Sequence, residues 1–353
     1  MTTVAPLPDK DQCAICKTET GLNSCKSCLV VFYCGRDHQK EDWPTHKRFC
    51  KRTKMTRETN WRALEHLKQL LEENPNDNPR DFFASHPDDV NAYLHVRYIY
   101  ARAILRLGTR SGVEGALESC LEIVGMDRNN EQNGQDARDH VPALFLRLGR
   151  NKECYDFLKE NCVGDLEEIY ACDENGALRQ PADAEKLSLA HAAMLSLLKV
   201  RILIDLPHLQ SADDFVGDKL PTELSDQIRS YDIGAATKID AARMKAIEKH
   251  EDLVPLMKKL KAELKDLRVY VNALNKDYWA AILDPEKYKN MQPMYQPELP
   301  IVQALSQTYD AWAETPEALA CWKGLCEDWG VEGGVADAAE GAADASDEWV
   351  DVD

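Results

Sequence analysis

Eight side chains that can bind a transition metal stand within 38 residues of this sequence. The donors are Cys13, Cys16, Cys25, Cys28, Cys34, His38, His46 and Cys50. Thiolate and imidazole are the usual ligands of structural Zn²⁺, and eight of them complete two tetrahedral sites. A site closed by four protein ligands leaves no position for a substrate. The cluster therefore predicts two structural zinc ions in a small module over residues 13–50.

The spacing of these donors indicates two kinds of local structure. A Cys-x-x-Cys pair lets two thiolates reach one ion from a tight knuckle. His46 and Cys50 are four residues apart, so a helix would place both on one face. Without a secretory signal, crowded cysteine pairs favour metal binding over disulfides. The residues alone leave the pairing open, since the four Cys-x-x-Cys thiolates would also suffice for one ion.

The second half of the module carries a recognisable pattern. It reads Tyr33-Cys34-Gly35-Arg36-Asp37-His38-Gln39, followed by Trp43-Pro44-Thr45-His46-Lys47-Arg48-Phe49-Cys50. With the preceding Cys-x-x-Cys pairs, this pattern resembles the MYND finger. The resemblance implies two interleaved zinc sites, one held by Cys13, Cys16, Cys34 and His38, the other by Cys25, Cys28, His46 and Cys50.

One ligand position departs from the family, which usually has a cysteine where this chain has His38. Imidazole is a competent zinc ligand, so we expect a Cys₃His site with less negative charge than a Cys₄ site. The alternative is that His38 is a bystander and the first site lacks its fourth ligand.

The resemblance also implies a shallow groove for short proline-containing peptides of partner proteins. The residues that match the family's binding positions are Gln39 and Trp43. Trp43 would stack on proline, while Gln39 would bond the peptide backbone; the alternative is that Trp43 packs over the zinc knuckles. Pro44, after Trp43, departs from the charged residue often found there. The segment Pro297–Pro300 is either an internal ligand or a connector between helices.

Composition and charge limit the function classes. The net charge is −18, although residues 1–60 hold eleven Lys/Arg against seven Asp/Glu. An acidic body repels phosphates, which disfavours broad nucleic-acid binding. We expect no membrane span, because no apolar run reaches the ~18 residues that a span requires. We also expect no secretory signal, because the first ten residues lack a basic region followed by an apolar one. The protein is therefore expected inside the cell, in the cytoplasm, the nucleus or both.

The remainder of the chain predicts a mainly α fold in several regions. Apolar side chains recur at helical spacing over residues 57–161 and again over 183–329, which form two domains or one. Predicted inward-facing residues include Trp61, Leu64, Leu67, Leu70 and Leu71 in one helix and Val113, Ala116, Leu117, Cys120, Leu121 and Val124 in another. A segment from Leu253 to Leu283 is predicted as one long helix, or as two that break near Arg268. Residues 330–353 hold eight acids and no base, which predicts a disordered acidic tail.

A four-residue sequence that occurs twice indicates a repeated helix pair. Leu105-Arg106-Leu107-Gly108 recurs as Leu146-Arg147-Leu148-Gly149, each time at the end of a predicted helix. Helix pairs that repeat at such a period are typical of α-solenoids, so we expect a tetratricopeptide-like array.

These features favour a zinc-binding adaptor that captures peptides and uses the helical body as a scaffold. MYND fingers also occur in lysine methyltransferases, but the chain lacks the motifs of their SET domain. It also lacks a P-loop and the metalloprotease and hydrolase motifs, so we expect no enzymatic activity. A third hypothesis, nucleic-acid association through the basic segment 47–57, is disfavoured by the acidic body.

Overall fold

A computed structural model of the chain describes residues 6–75, 82–83, 85–127, 132–216, 254–285 and 300–330. The predicted disordered tail lies outside these residues, except for Gly330. The proline-rich segment also lies outside them, apart from Pro300, which begins a helix.

The finger contains one small antiparallel sheet and the first turns of a long helix. Strand β1 is Asn23–Ser24 and strand β2 is Phe32–Tyr33, with Asn23 opposite Tyr33. Helix α1 runs from Arg36 to Glu73 and passes through Pro44. Proline has no N–H to donate to the preceding turn, yet the helix continues beyond it. The finger thus ends inside a helix.

Helix α1 continues across the predicted boundary between the finger, which ends at Cys50, and the helical region, predicted from residue 57. A single helix crosses from the zinc ligand Cys50 into the body without interruption. Lysine, arginine, leucine and glutamate, which favour helices, make up most of the sequence from Lys51 to Glu73, and no glycine or proline interrupts it. The orientation of the finger relative to the body is therefore fixed by a continuous backbone.

The next four helices pack in chain order, each against its neighbours. They are α2 (Pro87–Leu105), α3 (Arg110–Met126), α4 (Gln132–Arg147) and α5 (Asn151–Asn161). The glycine of the repeated Leu-Arg-Leu-Gly sequence has a similar backbone conformation at both positions. Gly108 and Gly149 adopt positive φ values of 62° and 72° just after α2 and α4, a conformation that suits glycine. The predicted mainly α fold is confirmed.

The second half of the body surrounds one buried helix. Its elements are α6 (Leu166–Ile169), α7 (Leu189–Val216), α8 (Val254–Leu274), α9 (Tyr278–Leu283), α10 (Pro300–Glu314) and α11 (Ala318–Asp328). Helix α7 packs against α4, α5, α8, α10 and α11. Trp279, Trp312 and Trp322 form a fully buried aromatic cluster beside it. No described helix is long and apolar enough to span a membrane.

Neither predicted alternative for Leu253–Leu283 is right: the segment forms two helices, and the break is not near Arg268, because the first helix continues to Leu274 with Arg268 buried in it. The interruption falls at residues 275–277 instead. There the side chain of Asn275 accepts a hydrogen bond from the amide of Asp277 (3.1 Å). Asparagine commonly ends a helix through this kind of local turn.

Three predicted core positions are also wrong: Trp61, Leu71 and Leu121 are exposed. In α1 the side that packs against α2 carries Thr53, Asn60 and Leu67, so Trp61 points to solvent. Two neighbouring helices cover α3, and the buried residue after Cys120 is Ile123. The apolar spacing indicated helices correctly, but which side faces the core depends on the packing partner.

Candidate zinc and peptide-binding site

The first ligand cluster joins the beginning of the finger to the start of α1. Cys13 and Cys16 form a knuckle, Cys34 follows strand β2, and His38 lies in the first turn of α1. The Cys16 and Cys34 sulfurs are 3.6 Å apart, and His38 Nδ1 is 3.6 Å from Cys13 Sγ and 3.0 Å from Cys34 Sγ. His38 therefore lies among the thiols, as expected of a ligand rather than a bystander.

The second cluster lies deeper. Cys25 and Cys28 form the other knuckle, and His46 and Cys50 come from one face of α1. Cys25 Sγ is 3.7 Å from Cys50 Sγ, and Cys28 Sγ is 3.6 Å from His46 Nε2. All four side chains are buried, whereas Cys16 of the first cluster is exposed. The first cluster is thus the more accessible of the two to solvent and chelators.

Both clusters fit tetrahedral zinc. In each of them the four ligand atoms all lie within 4.8 Å of one another. Zn–S bonds of about 2.3 Å and Zn–N bonds of about 2.0 Å at tetrahedral angles place ligand atoms roughly 3.5–3.8 Å apart. The S–S distances of 3.6 and 3.7 Å agree with this geometry. The structure brings together the interleaved sets and does not pair the four knuckle thiols, and the prediction of two zinc ions is confirmed.

The two knuckles share one backbone conformation. Lys17 and Leu29 each follow the second cysteine of their pair and adopt positive φ values of 62° and 65°. Their amides bond back to the carbonyls of Cys13 (3.0 Å) and Cys25 (2.8 Å). This left-handed conformation costs a non-glycine residue about 1–2 kcal/mol. Metal binding supplies far more than that, on the order of 10 kcal/mol for a structural site.

The thiol pKa values also favour a bound cation. Burial opposes ionisation of Cys13, but amide hydrogen bonds, first from Cys16, lower the pKa of this thiol to about 6. In the same cluster, a hydrogen bond with Cys16 and then burial raise the pKa of Cys34 to about 11. In the second cluster, burial first of all raises the pKa of Cys50 to about 12. Several thiolates in one place repel each other, and a divalent cation removes this repulsion.

The two predicted peptide-binding residues lie one turn apart on α1. Gln39 is half-buried, while 40 % of Trp43 is exposed. The Trp43 ring stands 6.2 Å from the ring of His46, tilted by 59°. Trp43 therefore touches a ligand of the second cluster at its edge instead of being covered by the knuckles.

The finger and the residues just before it also contact the helical body beyond the shared helix. Thr109 donates a hydrogen bond from its hydroxyl to the carbonyl of Val30 (3.3 Å), and Arg110 donates one to the carbonyl of Pro8 (3.3 Å). The Asp11 carboxylate accepts a bond from the Ser111 amide (3.1 Å) at the N-terminus of α3, where the helix dipole favours negative charge.

These contacts border a cleft of about 620 Å³ between finger and body. The α1 side chains that line it are Asp42, Thr45, His46 and Phe49, facing the α2–α3 turn at Arg106 to Arg110. Gln39 and Trp43 lie outside the cleft, on the adjacent side of α1. Sequence reasoning missed this surface, because only the tertiary contact between α1 and the α2–α3 turn creates it.

Comparison with known proteins identifies the same segment of the chain. The family model of the MYND finger matches residues 13–50. A Rho GTPase-activating protein of Dictyostelium discoideum (gacZ) is 45 % identical over 42 residues, which is 12 % of this chain and 4 % of that protein. Egl nine homolog 1 of Homo sapiens is 38 % identical over 42 residues, 12 % of this chain and 10 % of its own length. No solved structure matches the chain.

The similarity to these proteins covers only a short segment, about the length of the finger. The ligand spacing, the two four-donor clusters and the family match all concern the same 13–50 segment. Residues 13–50 are therefore a MYND finger, a zinc-binding protein-interaction module that is joined through α1 to a mainly helical body.

Proposed function

We propose that this protein is a non-catalytic adaptor whose finger captures proline-containing peptides of partner proteins, with the helical body as a scaffold. The exposure of Trp43 beside the buried ligand His46 carries the proposal. An indole face open to solvent on a metal-stiffened helix is suited to stack on a proline ring. Gln39, one turn earlier, presents amide donors and acceptors on the same side.

A second exposed apolar side chain lies beside the same zinc cluster. Leu29 directly follows the ligand Cys28 and is 51 % exposed. Cys28 and His46 are neighbours in the second cluster, so Leu29 and Trp43 both flank that cluster. The positive φ of Leu29 fixes the direction of its side chain at the knuckle. Large apolar side chains that are exposed to solvent beside a rigid metal site are typical of a binding surface.

The polar cavity in the body supports a non-catalytic role. This cavity of about 570 Å³ brings together Ser188, Asp139 and His191, the residue types of a hydrolase triad. Ser188 donates its hydroxyl proton to Asp139 (2.6 Å), while His191 Nε2 bonds the carbonyl of Arg138 (3.1 Å). The His191 ring thus bonds a backbone oxygen and not Ser188, whose Oγ also accepts the His191 amide proton at the start of α7 (3.2 Å). The three side chains therefore do not have the serine–histidine hydrogen bond of a hydrolase triad.

The limited extent of the similarity also supports a modular role. The two relatives carry different names and match this chain over only 42 residues each. We propose that the finger works as a portable binding module here as well. On this proposal the specificity of the whole chain comes from what its own helical body adds.

The test compares two exposed tryptophans of the same helix in the full-length protein. Trp43→Ala removes the proposed contact, and Trp61→Ala, with Trp61 60 % exposed outside the finger, is the matched control. Binding of an array of proline-containing peptides is measured, each against its Pro→Ala form, together with zinc content. We expect Trp43→Ala to weaken binding about tenfold or more with two zinc ions retained, and Trp61→Ala to leave it unchanged. Equal binding by both variants, or no preference for proline, refutes peptide capture by this surface.

A further inference from the structure

Four arginines gather where the finger helix packs on the body. They are Arg48 and Arg52 of α1 and Arg102 and Arg106 at the end of α2, and we call them the arginine quartet. Within each helix the two residues are one turn apart and share a side. All four are exposed. The quartet therefore presents a concentrated positive charge on a protein whose net charge is −18.

The packing of α1 on α2 brings the two pairs together. Thr53 donates a hydrogen bond to the carbonyl of Ala103 (3.4 Å), which places the neighbouring Arg52 and Arg102 at the same level. At the far end, His66 meets Asp89 at 3.0 Å, so the two helices run antiparallel. Burial and then the charges of Arg52, Arg102 and Arg48 lower the pKa of Arg106, as close approach of like charges requires.

The quartet lacks the counter-charges that other arginines have. Among the described residues, no carboxylate lies within 4.0 Å of any of its four guanidinium groups. By contrast, Arg97 meets Glu122 at 2.6 Å and Arg110 meets Glu114 at 2.9 Å. A guanidinium group without a carboxylate partner can bind both oxygens of an incoming carboxylate through its planar pair of N–H donors. The surface is thus suited to an acidic peptide segment.

The chain itself contains such a segment within reach. Residues 331–353 hold eight acids and no base: Glu332, Asp337, Glu340, Asp344, Asp347, Glu348, Asp351 and Asp353. Glu314, at the end of α10, lines the finger–body cleft together with Arg106. From Glu314 through α11 to Gly330 the path is at most about 36 Å, and residues 331–343 alone extend to about 43 Å. The acids at 344–353 can therefore reach the quartet.

We propose that the acidic segment 331–353 docks intramolecularly on the arginine quartet, at the edge of the finger–body cleft. Tethering raises the effective concentration of the segment to the millimolar range, so weak individual ion pairs suffice. The contact covers the solvent-exposed side of α1 that carries Arg48 and Arg52. It stands independently of peptide capture by Trp43, which lies outside the cleft.

The test uses the full-length chain and a fluorescent synthetic peptide of residues 331–353. The host protein carries all eight acids of its own segment as Asn or Gln, so that the quartet is free. We expect the peptide to bind this host and not the wild-type chain, with binding that weakens as salt shortens the Debye length from about 10 Å at 0.1 M. In the host, Arg102→Gln with Arg106→Gln should weaken binding about tenfold. Arg52→Gln, which leaves α2 intact, should weaken it less but measurably.

The control variant neutralises an exposed lysine face on α8. Lys258→Gln with Lys261→Gln removes the same charge from a helix that does not contribute to the quartet, and it should leave peptide binding unchanged. Loss of binding in this variant but not in the arginine variants overturns the proposal. Equal binding to wild type and host overturns it too, because the segment then does not occupy its own chain. So does tight, quartet-dependent binding of duplex DNA by the wild-type protein, which would make the quartet an open nucleic-acid surface.

Discussion

The hydroxyl of Thr109 bonds the carbonyl oxygen of Val30 at 3.3 Å and also accepts the amide proton of Gly112 at 3.1 Å. The first bond joins the helical body to the finger, and the second caps helix α3. The Thr109 side chain thus stabilises both the start of helix α3 and the contact between the body and the finger. A Cβ added at Gly112 would lie 2.8 Å from the carbonyl of Ile104 and 3.3 Å from Val30, so the junction is closely packed.

Thr109→Ala should loosen this junction. Loss of an N-cap costs about 0.5–2 kcal/mol of the free energy of unfolding, and the bond to Val30 is lost as well. We expect faster amide hydrogen exchange in residues 25–33 and a lower urea midpoint. Thr109→Ser, which keeps the hydroxyl, is the control and should behave as wild type. Unchanged exchange in the finger of the alanine variant would show that the contact does not couple the two parts.

Replacement of His38 tests its role as a ligand. His38→Ala should reduce bound zinc from two ions per chain to one, because the first cluster keeps only three thiols. His38→Cys restores the family's usual ligand and should retain both ions. Native mass spectrometry measures the stoichiometry. Two ions in the alanine variant would make His38 a bystander after all.

Chelation of zinc should unfold the finger but not the whole of α1. Residues 13–35 have little apolar core of their own, so metal binding supplies most of their stability, on the order of 10 kcal/mol per ion. The part of α1 after Thr53 packs on α2 and should keep its exchange protection. Hydrogen exchange with and without a chelator measures the boundary. Loss of protection throughout α4 and α7 would mean that the body depends on the metal.

The buried ion pair between Arg147 and Glu314 should be costly to break. The side chains are 5 % and 10 % exposed, and two hydrogen bonds of 2.8 and 2.7 Å join α4 to α10. Arg147→Met leaves a buried carboxylate, which costs roughly 3–5 kcal/mol of unfolding free energy. Arg150→Met, whose partner Glu153 is exposed, is the control and should cost less than about 1 kcal/mol. Urea unfolding measures both; similar losses in the two variants would contradict the distinction.

The sequence by itself determined the metal chemistry and the helical class. Donor types and spacings such as His46-x₃-Cys50 depend only on local geometry, and a helix places such residues on one face wherever it packs. The turn glycines Gly108 and Gly149 were likewise readable, because positive φ is a local requirement. The interleaved pairing needed the family pattern in addition, since either pairing satisfies the ligand count.

The tertiary structure decided which helix faces are buried and which residues from distant segments meet. Trp61 has the spacing of a core residue yet lies in solvent, because α2 covers another side of α1. The arginine quartet and the finger–body cleft combine segments that lie 50 or more residues apart along the chain, which no local pattern encodes. Burial and long-range contact depend on the partner that each helix meets, and this is why the zinc ligands could be predicted from sequence and the surfaces around them could not.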